Sequence, residues 1–188
     1  MSTVIASRGI AHIQIRAGEA LVGGTYKSAS VLLNVSEKNV RSGSVAFWQN
    51  QQIHDGKIDS DRFQGQEWSL FGTGLMVRKQ RDTHHFNEDQ PYGVLALWPL
   101  VSESADTFAR LGEINALASV KLETGCQMFG IFRSIYDPTV FSLIEVFNQL
   151  TDFNLHLETK HFLEFAEYAR PRYLGDRSQT LKGTVVWL

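Results

Sequence analysis

The stretch IEVFNQLTDFNLHLETKHFLEF, residues 144–165, sets Glu145, His156 and His161 among apolar neighbours. A carboxylate and imidazoles in such surroundings are the components of a proton-transfer site. Histidine titrates in the physiological range, and a carboxylate within hydrogen-bond reach can orient an imidazole and raise its basicity. Trp98, Phe129 and Phe147 could hold a flat molecule beside such a base. The same residue types also serve structure. A lone buried glutamate is costly, so Glu145 bonded to His156 or to a backbone group would lock a helix to a strand. On one continuous helix, His156 and His161 would project about 140° apart, since each residue turns roughly 100°. They therefore read as a poor metal pair, unlike histidines at a spacing of four, and at most one of them is expected to face a pocket.

Periodicity gives the elements that carry these residues. LTDFNLHLETKHFLEFAEYARPRYL (150–174) predicts one helix, capped by Thr151 or Asp152 and ended near Pro171. VFSLIEVFNQ (140–149) predicts a strand with Phe141, Leu143, Glu145 and Phe147 on one face and Val140, Ile144 and Val146 on the other. SESADTFARLGEINALASVKLETG (102–125) places Phe108, Leu111, Ile114, Leu117, Ala118 and Leu122 at helical spacing and stops at Gly125. With strands at 92–100, 126–135 and 179–188, the order is β-α-β-β-α-β, a ferredoxin-like α+β arrangement. Its strands are apolar on both faces, so both sides of the sheet should be covered. Two helices cover one side. A partner's sheet or the N-terminal half covers the other.

Residues 1–90 read as β-rich, with strands at 10–16, 30–35, 44–49 and 67–77 between the turn signals VGGT, SEKN and HDGK. The polar run KQRDTHHFNEDQP (79–91) marks the boundary with residues 91–188. The N-terminal half is either a degenerate second copy of the same unit or a separate β-rich cover. The absence of a helix resembling 151–170 favours the cover.

A net charge of −2 and a pI near 6.3 give no reason to expect nucleic acid or an anionic membrane as a partner. The single cysteine, Cys126, excludes an internal disulfide framework and a cysteine-rich zinc site. No apolar run reaches the roughly 18 residues of a membrane span, and the N-terminus does not read as a secretory signal. A cytoplasmic protein is expected. Cys126 reads as an inert buried thiol, His84 and His85 as solvated loop residues, and Gly72 and Gly74 as marks of a bulge or of close packing. Arg170, Arg172 and Arg177 could bind an anion, although a helix C-terminus attracts basic residues in any case.

ETGC (123–126), DP (137–138) and IEVF (144–147) occur in that order, followed by His156, eleven residues after Glu145, and HF (161–162). On these pieces, residues 92–188 resemble the antibiotic biosynthesis monooxygenase family of dimeric α+β barrels. The resemblance implies a homodimer whose two sheets pack together, with a pocket between each sheet and its helices. It also implies oxidation of a small aromatic or quinol-like molecule by molecular oxygen, without metal or organic cofactor. His156, His161 and Glu145 would be the catalytic residues, and Trp98, Phe129 and Phe147 would bind the substrate. Phe147 departs from the Trp or Tyr common at its position. YGVLALWPL (92–100) lacks the asparagine that haem-degrading relatives use, which makes haem chemistry the weaker option. The fold also supports a non-catalytic alternative, as a ligand-binding or oligomerisation module, and a third reading as a lyase or isomerase.

Overall fold

Short apolar and alternating runs carry the N-terminal half into strands β1 (Val4–Ala17), β2 (Val31–Glu37), β3 (Arg41–Gln49), β4 (Arg62–Gln64) and β5 (Glu67–Lys79). The C-terminal half follows as β6 (Tyr92–Pro99), α1 (Ala105–Leu122), β7 (Cys126–Ser134), β8 (Val140–Phe147), α2 (Leu150–His156), α3 (Lys160–Ala169) and β9 (Thr180–Trp187). The computed structural model describes residues 3–17, 31–37, 41–49, 62–64, 67–80, 91–175 and 180–187. The turn signals at 22–25 and 54–57, most of the polar linker with His84 and His85, and Arg177 lie outside these residues. No helix among the described residues is long and apolar enough to cross a membrane.

The strands form one antiparallel sheet in the order β1-β3-β2-β9-β6-β8-β7-β5-β4, and β1 also pairs with β5. Every described strand except the short β4 therefore belongs to a closed ring. Within that ring the N-terminal strands run β5-β1-β3-β2 and the C-terminal strands β9-β6-β8-β7. Counted along the chain, both sets have the order fourth-first-third-second. They meet at reciprocal seams, β2 on β9 and β5 on β7. Closure removes open edges, and it takes no second chain. The homodimer expectation, in which a partner supplies the second sheet, thus loses that physical reason.

Closure also explains why the C-terminal strands are apolar on both faces. Ile13, Ile15, Val45 and Phe47 from the N-terminal half fill the interior with Leu95, Phe132, Ile144 and Leu181 from the C-terminal half. The outer face of β6–β8 carries Phe129, Ile131, Phe141, Leu143 and Phe147, which pack under the helices with Phe108, Phe153 and Phe165. Every residue of β8 is buried.

The face that α1 turns to the sheet differs from its predicted apolar stripe. Ala105, Phe108, Gly112, Asn115, Ala116, Ser119 and Val120 are buried, whereas Ile114, Leu117 and Leu122 are exposed. Small residues allow the helix to approach an already crowded aromatic layer. A Cβ on Gly112 would lie 2.2 Å from Ile131 Cδ1. Close fit at the contact thus selects the face over the sum of hydrophobicity.

Strand spacing at the β5–β7 seam depends on a missing side chain. A Cβ on Gly74 would lie 1.9 Å from the backbone oxygen of Ile131. Gly74→Ala must spread the two strands, and it is expected to lower stability by about 1–3 kcal/mol. Urea unfolding measures this, and an unchanged midpoint would show that the seam has room.

Candidate functional site

The helix expected over 150–174 is broken at Leu157–Thr159, between α2 and α3. Thr159 has extended backbone (φ −72°, ψ 149°) and caps α3, accepting from the Phe162 N–H at 3.4 Å. Its hydroxyl also donates to the His156 carbonyl at 2.8 Å. A β-branched threonine is a poor helix interior residue and a good N-cap, so one residue ends the first segment and starts the second. The N-cap of α2 is Gln149, without a side-chain cap bond, in place of the expected Thr151 or Asp152. The 140° separation applied to an unbroken helix. With the break, His156 and His161 converge.

They converge on Glu123, the residue that follows α1. Glu123 Oε1 lies 2.8 Å from His156 Nδ1 and 2.6 Å from His161 Nε2. An ionised carboxylate only accepts, so both rings donate these N–H groups. Several contacts fix Glu123. Lys79 on β5 donates to the carbonyls of Glu123 and Thr124 at 2.7 and 2.8 Å, placing a cation at the helix C-terminus. Gly125 admits Asp152 at the start of α2, since a Cβ there would lie 2.2 Å from Asp152 Cγ. Its carbonyl accepts from the Asn148 N–H at 2.9 Å.

The cluster runs from the surface inward: the His161 and Glu123 side chains are 14% and 12% exposed, and that of His156 is 0% exposed. Burial pushes the Glu123 carboxyl up, but hydrogen bonds from His156, His161 and Ser119 and the charge of His156 outweigh it and hold the carboxyl below its ordinary value. Burial pushes His156 down. The hydrogen bond to Glu123 and the charges of Glu145 and Glu123 outweigh this and leave the imidazole above its ordinary value.

The His156 ring packs among aromatic rings, with centroids of Phe129 at 5.9 Å, Phe147 at 5.4 Å and the half-buried Phe162 at 4.9 Å. His156 Nε2 is buried and has no hydrogen-bond partner. Glu145, also buried, enters the helix–sheet layer from β8 with Oε2 unpartnered, and both amide atoms of Asn115 on α1 are unpartnered as well. Burial, with the charge of Glu123 adding to it, raises the Glu145 carboxyl against the opposing charges of His156 and Lys182.

Of the six predicted residues, His156, Phe129 and Phe147 meet directly, and His161 joins them through Glu123. Trp98 lies elsewhere, packed on Phe108, Phe165 and Tyr173 at 5.6, 6.1 and 4.8 Å. Glu145 was expected to orient a histidine, and Glu123 holds that place. The motif ETGC contains Glu123, so the signal was present without a role attached. Cys126 is buried and its thiol is pushed well up, first by burial and then by the charges of Glu123 and Glu145, in keeping with an inert thiol. Arg172 bonds the Tyr168 carbonyl at 2.8 Å, and Arg170 lies over the Phe162 ring.

A cleft of about 680 Å³ opens beside the first half of α1, and its lining includes none of Glu123, His156 and His161. Arg8, Thr73, Glu113, Ile131, Arg133 and Phe141 are among its lining residues, and none of the predicted site residues is. Arg8 and Glu113 form a two-pronged ion pair at 2.8 and 2.7 Å, and Arg133 bonds Asp106 at 2.8 Å.

Residues 91–168, less than half of the chain, match the model of the antibiotic biosynthesis monooxygenase family. Two solved structures resemble nearly the whole chain. A protein of Lactobacillus acidophilus NCFM, provisionally named a monooxygenase, aligns over 96% of this chain and 94% of its own with 11% identity and a TM-score of 0.68. A similarly named protein of Fusobacterium nucleatum aligns over 97% and 93% with 13% identity and a TM-score of 0.63. At these identities the likeness is one of fold. No protein of curated function matches the chain.

Glu145 gives the site a testable pH signature. The folded protein holds its carboxyl in the neutral form beyond the ordinary value of 4.5. The stability tied to Glu145 is therefore fully present below that value and is lost as the pH rises through the raised one. Glu145→Leu, which removes the unpartnered group, is expected to stabilise the protein by about 1–3 kcal/mol near pH 8 and by less near pH 4. Thermal unfolding at the two pH values checks this, and a variant that is less stable at both would contradict it.

Proposed function

We propose that the protein is a monooxygenase that oxidises a small aromatic or quinol-like molecule with molecular oxygen and without a bound cofactor. The observation that carries this reading is the unpartnered Nε2 of His156, buried against Phe129, Phe147 and Phe162 while Nδ1 donates to Glu123. A neutral imidazole so arranged presents its lone pair to an aromatic enclosure, and the carboxylate behind it stabilises the imidazolium that forms. The family match over residues 91–168 supports the same chemistry.

In this reading a phenolic hydroxyl gives its proton to His156 Nε2. The resulting anion passes one electron to oxygen and the two radicals combine, forming a carbon–oxygen bond to a peroxide. Protonation of the outer peroxide oxygen by His156 and loss of the ring hydrogen release water and leave a quinone. One oxygen atom enters the product, the other leaves as water, and the substrate supplies all four electrons that reduce the oxygen molecule. The low-dielectric aromatic layer keeps bulk water from the anion. His156 is fully covered, so in this reading its cover must part before a substrate can reach Nε2.

A second reading, a non-catalytic module that binds a small ligand, is favoured by the filled helix–sheet layer and by the separate cleft beside Arg8 and Arg133. Oxygen uptake by chelator-treated protein with a panel of naphthols and quinols separates the two. The oxygenase reading expects one oxygen consumed per quinone formed, and a rate about 10²–10⁴ lower in His156→Gln. Binding without oxygen uptake, weakened by Arg133→Gln and indifferent to His156→Gln, would replace it with the binding-module reading.

A further inference from the structure

We propose that Glu123, His156 and His161 form a site for one divalent transition-metal ion of the zinc, cobalt or iron(II) type. The three donor atoms, Glu123 Oε1, His156 Nδ1 and His161 Nε2, lie within 4.8 Å of one another. Bonds from nitrogen and oxygen ligands to such ions are about 2.0–2.2 Å long, so donors around one ion stand roughly 3 Å apart. The carboxylate oxygen is already 2.8 and 2.6 Å from the two nitrogens. An ion therefore takes the place of the two shared protons after small rotations of the rings. Two histidines and one carboxylate are a ligand set suited to borderline metals, and they leave further coordination positions open.

Accessibility fits this use. The Glu123 and His161 side chains are 12% and 14% exposed, so the ion enters from the solvent side while buried His156 forms the floor. Thr159 and Lys79 fix the backbone on either side of the donors.

An independent observation lies on the far side of the His156 ring. A metal on Nδ1 moves the ring proton to Nε2, the atom that has no partner. Glu145, buried in the same layer and electrostatically coupled to His156, offers an equally unpartnered Oε2. A carboxylate that accepts from the second nitrogen of a metal-bound histidine is the usual outer partner of such sites. No hydrogen bond joins Nε2 to Glu145 in the metal-free structure, so the Glu145 side chain would have to turn toward the ring to accept from the metal-bound tautomer.

A metal on Nδ1 leaves His156 without the bare Nε2 that the oxygenase reading uses, so the loaded and the active site are alternative states. The test is binding, read without turnover, while oxygen uptake is read on metal-free protein. The full chain, stripped with chelator, is titrated with Co²⁺ by visible absorption and with Zn²⁺ by equilibrium dialysis. The expected result is one ion per chain, with Zn²⁺ displacing Co²⁺. Glu123→Gln, His161→Gln and Glu145→Gln should each weaken binding about tenfold or more, with circular dichroism confirming that each variant folds. The joint substitution of His84 and His85 by alanine should leave binding unchanged. The proposal is overturned if the unsubstituted chain takes up no stoichiometric ion, if Glu123→Gln and His161→Gln retain full affinity, or if binding is lost with His84 and His85.

Discussion

One carboxylate oxygen, Oε1 of Glu123, accepts hydrogen bonds from two imidazoles, and the local architecture is arranged around that contact. It joins the end of α1 to the end of α2 and the beginning of α3. A charge held this far from water is stable only with donors in place, and three separate elements supply them. His156 comes from α2 and His161 from α3, and Ser119 on α1 adds a weaker contact. The N-terminal half contributes Lys79, which secures the backbone of Glu123 without touching its carboxylate. A shift of α1 along its axis would break the cluster, and so would restoring a continuous helix through Leu157–Thr159.

The closed ring of strands is the frame that makes such a cluster affordable. Because the N-terminal strands complete the barrel, the C-terminal sheet buries its inner face without a second chain. Its outer face is then free to hold an aromatic layer under the helices. Inside that layer His156, Glu145 and Asn115 keep polar atoms without partners. Most buried polar groups in proteins are satisfied. Several exceptions in one layer, beside a carboxylate–histidine pair, mark the place where a proton or a ligand has work to do.

The sequence carried much of this, unevenly. The α+β order was legible because the C-terminal strands and α1 are long and strongly patterned. The double-sided apolar character of VFSLIEVF correctly required a cover on each face. The break after His156 was not legible, because Leu155, Leu157, Phe162 and Phe165 sustain a helical pattern across it. Only the cap geometry of Thr159 overrides that pattern. The exposed stripe of α1 was misread for a related reason: side-chain size at the contact, set by Gly112 and Ala116, outweighed hydrophobicity. Glu123 stood in a recognised motif, yet it lies more than thirty residues before the histidines it holds, and spacing along the chain carries no signal for such a contact.

The protonation of the two rings tests the central contact most directly. Nitrogen-15 NMR of the histidine side chains at alkaline pH distinguishes the tautomers. With Glu123 accepting from both, His156 should carry its proton on Nδ1 with Nε2 bare, and His161 should carry its proton on Nε2. A His156 ring protonated at Nε2 with Nδ1 bare, in metal-free protein, would contradict the arrangement and remove the base on which the chemistry depends.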